Sequence, residues 1–187
     1  LINLLLELLK VSIPACIIIV SGAYRHRGTF YFDDIQIARV YTGATANNQS
    51  QLARVLFTYE LARRLEGTGV TANCLHPGSV RTDITRNMPK TLQFLAKTLF
   101  RAFFVSPERG AETILYLATS PEVETMSGKN FVNKRSVLSS RMSYNSELAK
   151  RLWTLSEWLT GLYDLEPDPT RGGHHDNSSL ITITNIS

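Results

Sequence analysis

Few side chains of this chain have a type and spacing that could carry out chemistry. Cys16 and Cys74 match no metal-ligand spacing, and two cysteines are too few for a disulfide framework. Both lie in apolar runs, so we expect buried thiols rather than a redox pair. Tyr59 precedes Arg63 by four residues, which would place a cation one helical turn from a phenol. Tyr59 also shares a helical face with aliphatic residues, and this predicts a core tyrosine instead.

The composition limits the classes of protein to which the chain can belong. Its 187 residues are 43% hydrophobic and 19% charged, which is typical of one globular domain rather than of a disordered chain. The net charge is only +4 and the basic residues are scattered, so no nucleic-acid partner is expected. No apolar run approaches the roughly 20 residues that a membrane-spanning helix needs.

A strand, helix, strand pattern would position these side chains. The apolar run Cys16–Val20 predicts a strand buried on both faces of a parallel sheet. Residues 23–46 have no steady period and are predicted to be mostly loop. Apolar residues then recur at helical spacing from Leu52 to Ala62, and Val70–Leu75 reads as a second buried strand. The order of these elements predicts an α/β fold with a parallel sheet.

The remaining elements follow from local signals. Leucine-rich Leu1–Lys10 predicts a helix, and because the chain begins inside this pattern without a methionine, we expect a segment to be missing upstream. We predict four further elements and two domain limits: helices at Pro89–Phe104, Pro107–Thr119 (with Ser106 as N-cap) and Leu148–Leu159, a short strand at Asn130–Val132, an ordered domain over residues 1–163, and a disordered tail over residues 164–187.

Several separate motifs resemble one enzyme family. Gln49–Thr58 with Glu60–Leu65 resembles the active-site helix of the short-chain dehydrogenases/reductases, in particular the retinol dehydrogenase-like branch. Gly67–Thr71 and His76–Thr82 resemble that branch's next strand and its Pro-Gly turn. The resemblance extends over residues 1–162. It implies the C-terminal part of a Rossmann-type doubly wound parallel sheet that lacks the N-terminal dinucleotide-binding strands.

The resemblance also implies a degenerate active site. The family uses a Tyr and a Lys four residues apart, together with a Ser and an Asn. Asn47 stands at the Tyr position, Gln51 at the Lys position and Gly22 at the Ser position, while the family Asn would lie before Leu1. A phenol can protonate a carbonyl oxygen only if its phenolate is stabilised, which the nearby Lys does. An amide pair cannot do this, so we expect the chain to be inactive by itself.

No other residue is expected to substitute for the missing groups. Ser21 precedes the family Ser position by one residue, and neighbouring strand residues point to opposite faces. Tyr41 is followed four residues later by Thr45, not by a Lys. Tyr24 and His26 lie in the predicted loop, where side chains are most often solvated.

The resemblance implies an NADP cofactor, but the chain contains no Gly-rich turn that could cradle its pyrophosphate. Pro77, Gly78 and Thr82 correspond to the family residues beside the nicotinamide. The alternative interpretation is that Pro77 and Gly78 only end a strand. We interpret them as a vestigial cofactor site and expect the chain alone not to bind NADP.

Partners and location are also implied by the resemblance. In the fold that the resemblance implies, the strand Cys16–Val20 would lose the neighbour that pairs with one of its edges. We therefore expect the isolated chain to be poorly stable. A homo- or hetero-oligomer with a family relative could supply the missing layer. Pro89–Phe104, with Lys90, Lys97 and Arg101 on one ridge, resembles the lid over an apolar aldehyde or alcohol. A helix that lies on a membrane surface would look the same in sequence. The family implies an intracellular location, either cytoplasmic or at the endoplasmic reticulum membrane.

Three hypotheses about function remain. The chain is a truncated, degenerate relative of the retinol dehydrogenase-like enzymes, without activity of its own. Alternatively, it is a fragment of a longer chain whose upstream half binds the cofactor. The third hypothesis is a non-enzymatic interaction protein that keeps the helical segment Leu52–Leu65 for association with a family relative.

Overall fold

The computed structural model describes residues 1–22, 30–39, 41–78, 80 and 105–162. These residues form a sheet of four strands in the order β1-β2-β3-β4. The strands are β1 (Ala15–Val20), β2 (Val70–His76), β3 (Asn130–Val132) and β4 (Arg135–Val137). β1 pairs with β2 in parallel, β2 pairs with β3 in parallel, and β3 pairs with β4 antiparallel. The predicted α/β class is therefore confirmed.

Four α-helices flank this sheet in the described part of the chain. They are α1 (Ile2–Val11), α2 (Gly43–Arg64), α3 (Pro107–Thr119) and α4 (Ser146–Leu159). The predicted N-cap of α3 is confirmed, because Ser106 Oγ accepts a hydrogen bond from the Arg109 N–H at 3.3 Å. The predicted helix Pro89–Phe104 and the predicted tail lie outside the described residues.

Helix α2 begins earlier than the sequence pattern predicts. The prediction of loop up to Ala46 is wrong at its end, because the helix already starts at Gly43. Thr42 Oγ1 caps this first turn by accepting the Thr45 N–H at 3.0 Å. The first two turns carry polar residues and no apolar face, so hydrophobic periodicity could not reveal them.

The hairpin from β3 to β4 was not predicted from the sequence. Asn133 and Lys134 both have positive φ, 49° and 62°, as a tight two-residue hairpin turn requires. Lys134 stands where glycine would usually be expected, and this hides the turn in the sequence. The sheet is consequently parallel in its first three strands and antiparallel at its last.

Helices cover the sheet on both faces. On one face α2 packs between the sheet and α4, where Leu61 and Leu65 meet Ile17 and Trp153. On the other face α3 contributes Leu117 to a cluster built around Leu75 and Phe131 of β2 and β3. Helices on both faces of the sheet give the doubly wound arrangement that the resemblance implied.

Strand β1 is less buried than its composition predicts. Of its six residues only Ile17 is buried, and Val20 is 43% exposed. Cys16 is exposed, so the prediction of a buried thiol is wrong for this residue. The reason is that, in the part of the chain that the structure describes, no strand pairs with β1 on the side away from β2. Cys74 is buried as predicted, and burial raises its thiol pKa to about 12.

Helix α1 packs through Ile2, Leu6 and Leu9 against the core cluster that contains Ile17, Leu61 and Trp153. Its remaining leucines face away from this contact, and Leu4 and Leu8 are 71% and 61% exposed. Among the described residues, no helix is both long enough and apolar enough to cross a membrane.

Candidate functional site

The candidate site lies where the carboxyl ends of β1 and β2 meet the first turns of α2. The Ser21 N–H donates to the Leu75 carbonyl at 2.7 Å, which holds the end of β1 against β2. Gly22 follows directly. The carboxyl edge of a parallel sheet is the usual location of ligand sites in open α/β folds.

The structure brings the three predicted family positions together around one side chain. Gln51 Nε2 donates to Asn47 Oδ1 at 3.3 Å, one turn back along α2. A Cβ atom on Gly22 would lie 2.9 Å from Gln51 Cδ, so the glycine and this amide are immediate neighbours. Gln51 therefore fills the space that a side chain at residue 22 would need.

Ser21 does not face away from the site as expected. Its Oγ lies 3.3 Å from Gln51 Oε1 and 3.5 Å from the Gln51 main-chain oxygen. The strand ends at Val20, so the alternation of strand side chains no longer governs Ser21. This hydroxyl is buried, at 4% exposure, against α2, where it holds the Gln51 side chain.

The chemistry available from these positions is limited to neutral hydrogen bonding. Neither Asn47 nor Gln51 titrates near neutral pH, and Gly22 has no side chain. The next cation along the helix, Arg54, donates from Nη1 to the Val20 carbonyl at 3.2 Å. That contact directs Arg54 towards the main chain of β1. The site can orient a polar group, but these residues cannot transfer a proton to it.

In the Pro-Gly turn after β2, the backbone conformation and the local packing explain why residue 78 is a glycine. Gly78 has φ of +86°, and a Cβ on it would lie 3.2 Å from Val105 Cγ2. The turn and the close approach of Val105 account for the glycine without a nicotinamide ring. Thr82, the third predicted cofactor residue, lies outside the described residues.

His76 is a further polar residue at this end of β2. Its Nδ1 is buried and accepts no hydrogen bond from the described residues. Burial lowers the pKa of the imidazole below its ordinary value, so the ring is held neutral. In the sequence, His76 stands out only as the first residue of the His76–Thr82 motif, and that motif does not indicate a role for the imidazole.

The alternative tyrosine pair is structural, as predicted. Tyr59 is 6% exposed and its hydroxyl lies 2.6 Å from Ser139 Oγ, while Arg63 pairs with Glu60 at 2.6 Å. Burial raises the phenol pKa of Tyr59, so it stays protonated. Tyr41 is 70% exposed. Tyr24 and His26 lie outside the described residues.

Gln49 is a structural residue that the sequence analysis missed. Its side chain is buried, with Oε1 accepting the Tyr31 N–H and Nε2 donating to the Ile35 carbonyl, both at 2.9 Å. These bonds fix the segment that precedes α2 against the site. The signal was available, because Gln49 lies three residues before Leu52 on the apolar side of the helix.

A cavity among the described residues lies at the opposite end of the sheet. It has a volume of about 930 Å³ and is lined by Pro14, Tyr59, Gly69 and Gly128, which lie at or near the amino ends of the strands. It does not include any of the candidate positions. Gly22, Asn47 and Gln51 therefore form a site that is separate from this cavity.

Comparison with known proteins establishes the relationship of the chain. It is 44% identical to human Retinol dehydrogenase 14 over 164 residues, which are 86% of this chain and 48% of that protein. The chain is homologous to the retinol dehydrogenases. This homology confirms the resemblance to the short-chain dehydrogenase/reductase family.

Further comparisons agree with this homology. This chain is also 37% identical to human Polyprenol dehydrogenase over 169 residues, which are 87% of this chain and 51% of that protein. A crystal structure of an uncharacterised protein from Mycobacterium paratuberculosis superposes with a TM-score of 0.57 at 26% identity, covering 79% of this chain and 50% of that one. No family model matches the chain. The chain spans about half the length of the curated relatives it matches.

The residues of this retinol dehydrogenase homologue do not fit a nicotinamide cofactor in the manner that the family implies. Gln51, which the resemblance places where the family has a ribose-binding cation, is neutral and donates to Asn47. The backbone of Gly78 is approached by Val105. Among the described residues at this edge, the neighbouring cation Arg54 is engaged with Val20.

Proposed function

We propose that this homologue of the retinol dehydrogenases keeps the framework of their catalytic site without their dehydrogenase activity. The observation that carries the proposal is the neutral amide pair of Asn47 and Gln51, 3.3 Å apart, beside a glycine. Hydride transfer to or from a carbonyl carbon requires a group that gives or takes the proton on oxygen. Neither amide can do so.

The expected loss of rate is large. Removal of one positioned acid or base typically costs about 10²- to 10⁴-fold in rate. When residues of one catalytic unit are absent together the losses are not additive, but the first loss already removes most of the acceleration. The chain should therefore show no turnover above the background reaction.

The substrate class and cofactor extend the same proposal. Retinol and polyprenol, named for two relatives, are both long apolar alcohols, so an apolar aldehyde or alcohol is the substrate to test. NADPH is the cofactor to test, and we propose that the chain alone does not bind it.

A titration with NADPH tests the cofactor part of the proposal. The cofactor's fluorescence and the melting temperature of the purified 187-residue chain are followed together. We expect neither to change saturably. A saturable fluorescence change with a ligand-dependent rise in melting temperature would overturn this part, because a ligand that binds the folded state stabilises it.

A turnover assay tests the catalytic part. NADPH oxidation with retinal or a long-chain aldehyde is compared between the chain and full-length human Retinol dehydrogenase 14 as a positive control. We expect no rate from the chain above that of buffer. Turnover that an Asn47→Ala, Gln51→Ala double variant abolishes would contradict the proposal.

A second candidate function, binding of a family relative without catalysis, is favoured by the position of β1 at the edge of the described sheet. An intracellular location, either cytoplasmic or at the endoplasmic reticulum membrane, remains a prediction from the resemblance. Fractionation of cells that express the tagged chain tests it: recovery in the cytosol or with endoplasmic reticulum markers supports the prediction, and recovery in the medium or with another organelle contradicts it.

A further inference from the structure

The cavity at the amino ends of the strands is large enough to hold a small organic molecule. Its volume of about 930 Å³ lies within the range of roughly 300–1,000 Å³ that small-molecule sites have. Its walls come from the end of α2, the residues before β1, the start of β2 and the turn before β3. Gly22, Asn47 and Gln51 do not line it. A ligand bound there would use a surface to which the proposed function gives no role.

Two tyrosines form the aromatic part of the wall. The rings of Tyr59 and Tyr144 stack with their centroids 5.3 Å apart. Ser139 binds both hydroxyl groups, because Tyr59 Oη lies 2.6 Å from Ser139 Oγ and Tyr144 Oη accepts the Ser139 N–H at 3.1 Å. Tyr144 nevertheless remains 49% exposed. The wall therefore offers an accessible aromatic ring whose polar group is already engaged within the protein.

Two carboxylates also line the cavity, and they come from separate segments of the chain. Glu66 follows the end of α2, and Glu124 follows the short 3-10 helix Pro121–Val123. Both residues are exposed. Among the described residues, neither carboxylate takes part in a salt bridge. The two segments therefore bring two uncompensated negative charges to one cavity.

The basic residues at the end of α2 do not neutralise these charges. Arg63 lines the cavity, but its guanidinium is paired with Glu60 at 2.6 Å. Arg64 is bound to the same carboxylate and lies over the Trp153 ring, which is not part of the lining. The carboxyl end of a helix also carries the negative end of its dipole. The end of α2 therefore adds to the preference of the cavity for a positive charge.

We propose that this cavity binds a small organic cation, an amine or a quaternary ammonium compound with an apolar body. The face of an aromatic ring attracts a cation, and quaternary ammonium groups are commonly bound in this way. Glu66 and Glu124 compensate the charge, and the apolar body lies against Tyr144, Ile13 and Ala62. The carboxylates repel an anion, and a neutral molecule gains nothing from them.

Titration with benzyltrimethylammonium tests this assignment. Heat of binding to the purified 187-residue chain is compared for this cation, for neutral N-benzylacetamide and for the anion phenylacetate. We expect saturable binding of the cation, and affinities about tenfold lower for the other two, as the loss of a cation–π contact and of the charge attraction predicts. The affinity for the cation should also fall as sodium chloride is added, because salt screens exposed carboxylates. No saturable binding at millimolar concentrations, or equal affinity for all three probes, would overturn the assignment.

Paired variants locate the bound cation. Glu66→Gln with Glu124→Gln should weaken binding about tenfold and reduce its salt dependence. Glu112→Gln with Glu147→Gln makes the same change of charge at exposed glutamates outside the lining, and should leave the affinity within about twofold, since distant exposed charges are screened. Equal weakening by both pairs would mean that the cation responds only to the net charge of the chain, which would contradict a site in this cavity.

A second pair of variants tests the aromatic wall. Tyr144→Ala should weaken binding of benzyltrimethylammonium roughly three- to fivefold, the effect of one cation–π contact at an exposed ring. Tyr31→Ala, at a 47% exposed position outside the lining, is the control and should have no effect. Circular dichroism of each variant shows that lost binding does not come from an unfolded chain. Unchanged affinity in a folded Tyr144→Ala variant would overturn the role of the ring.

The cavity and the proposed inactivity can be tested separately. NADPH and retinal should not compete with benzyltrimethylammonium, because the cavity and the candidate positions are at opposite ends of the sheet. Retinal that displaces the cation would identify an apolar substrate as the occupant and overturn this inference. Turnover of NADPH with retinal, without an effect on cation binding, would overturn only the proposed inactivity.

Discussion

At the residue scale, the candidate site depends on one side chain. The Gln51 side chain donates a hydrogen bond to Asn47 on its own helix and accepts one from the Ser21 hydroxyl. It also occupies the space beside Gly22. An amide at the position where the resemblance implies a cation would therefore have a structural consequence as well as a chemical one. A neutral side chain can lie against a buried hydroxyl and a glycine without a counter-charge.

This arrangement predicts coupling between residues 22 and 51. Gly22→Ser should cost about 1 kcal/mol of unfolding free energy, because the new side chain displaces the Gln51 amide from its hydrogen bonds. In a Gln51→Ala background the same substitution should cost almost nothing. Urea unfolding of the four chains measures the coupling. Equal costs in both backgrounds would show that the two residues do not compete for space.

His76 predicts a pH dependence of stability. Burial holds its folded-state pKa below the ordinary 6.5, so the unfolded chain binds the proton more readily. Stability should therefore fall as the pH is lowered through about 6.5 towards the folded-state value. His76→Gln should flatten the curve in this window, while the other histidines of the chain, which has 4 in all, remain as the internal control. An unchanged curve would exclude His76 as its cause.

At the element scale, periodic apolar patterns predicted the structure well where they exist. The strand at Val70, the helix through Leu52 and the capped helix after Ser106 all appear in the structure. The start of α2 and the β3–β4 hairpin were not predicted, because polar turns and a positive-φ Lys134 have no hydrophobic signature. The convergence of Gly22 and Gln51 required the resemblance, since no local pattern places a loop residue beside a helix.

The packing of α2 against α4 predicts unequal roles for the two tryptophans. Trp153 is 4% exposed, stacks on Phe57 at 5.0 Å between ring centroids and lies under the Arg64 guanidinium at 4.3 Å. Trp153→Ala should cost about 3–5 kcal/mol of unfolding free energy, as for other buried aromatic residues. Trp158→Ala, at a 54% exposed position on the same helix, is the control and should cost much less. Equal losses would mean that α4 is not packed as described.

At the scale of the whole molecule, the sequence of β1 and its environment disagree. Its apolar run predicted a strand buried on both faces, but Cys16 and Val20 are exposed in the described sheet. Local composition can indicate that a strand is built for two neighbours. It cannot show which segment supplies the second neighbour, because strand pairing is set by the fold and not by the strand's own residues.

The most direct measurement of the central claim uses a chimera that supplies the rest of the family fold. The unmatched half of human Retinol dehydrogenase 14 is fused before Leu1, and NADPH oxidation with retinal is measured. We predict no turnover from the chimera with the natural residues, and turnover once Gly22→Ser, Asn47→Tyr and Gln51→Lys are introduced together. Turnover by the chimera that still carries Gly22, Asn47 and Gln51 would contradict the account.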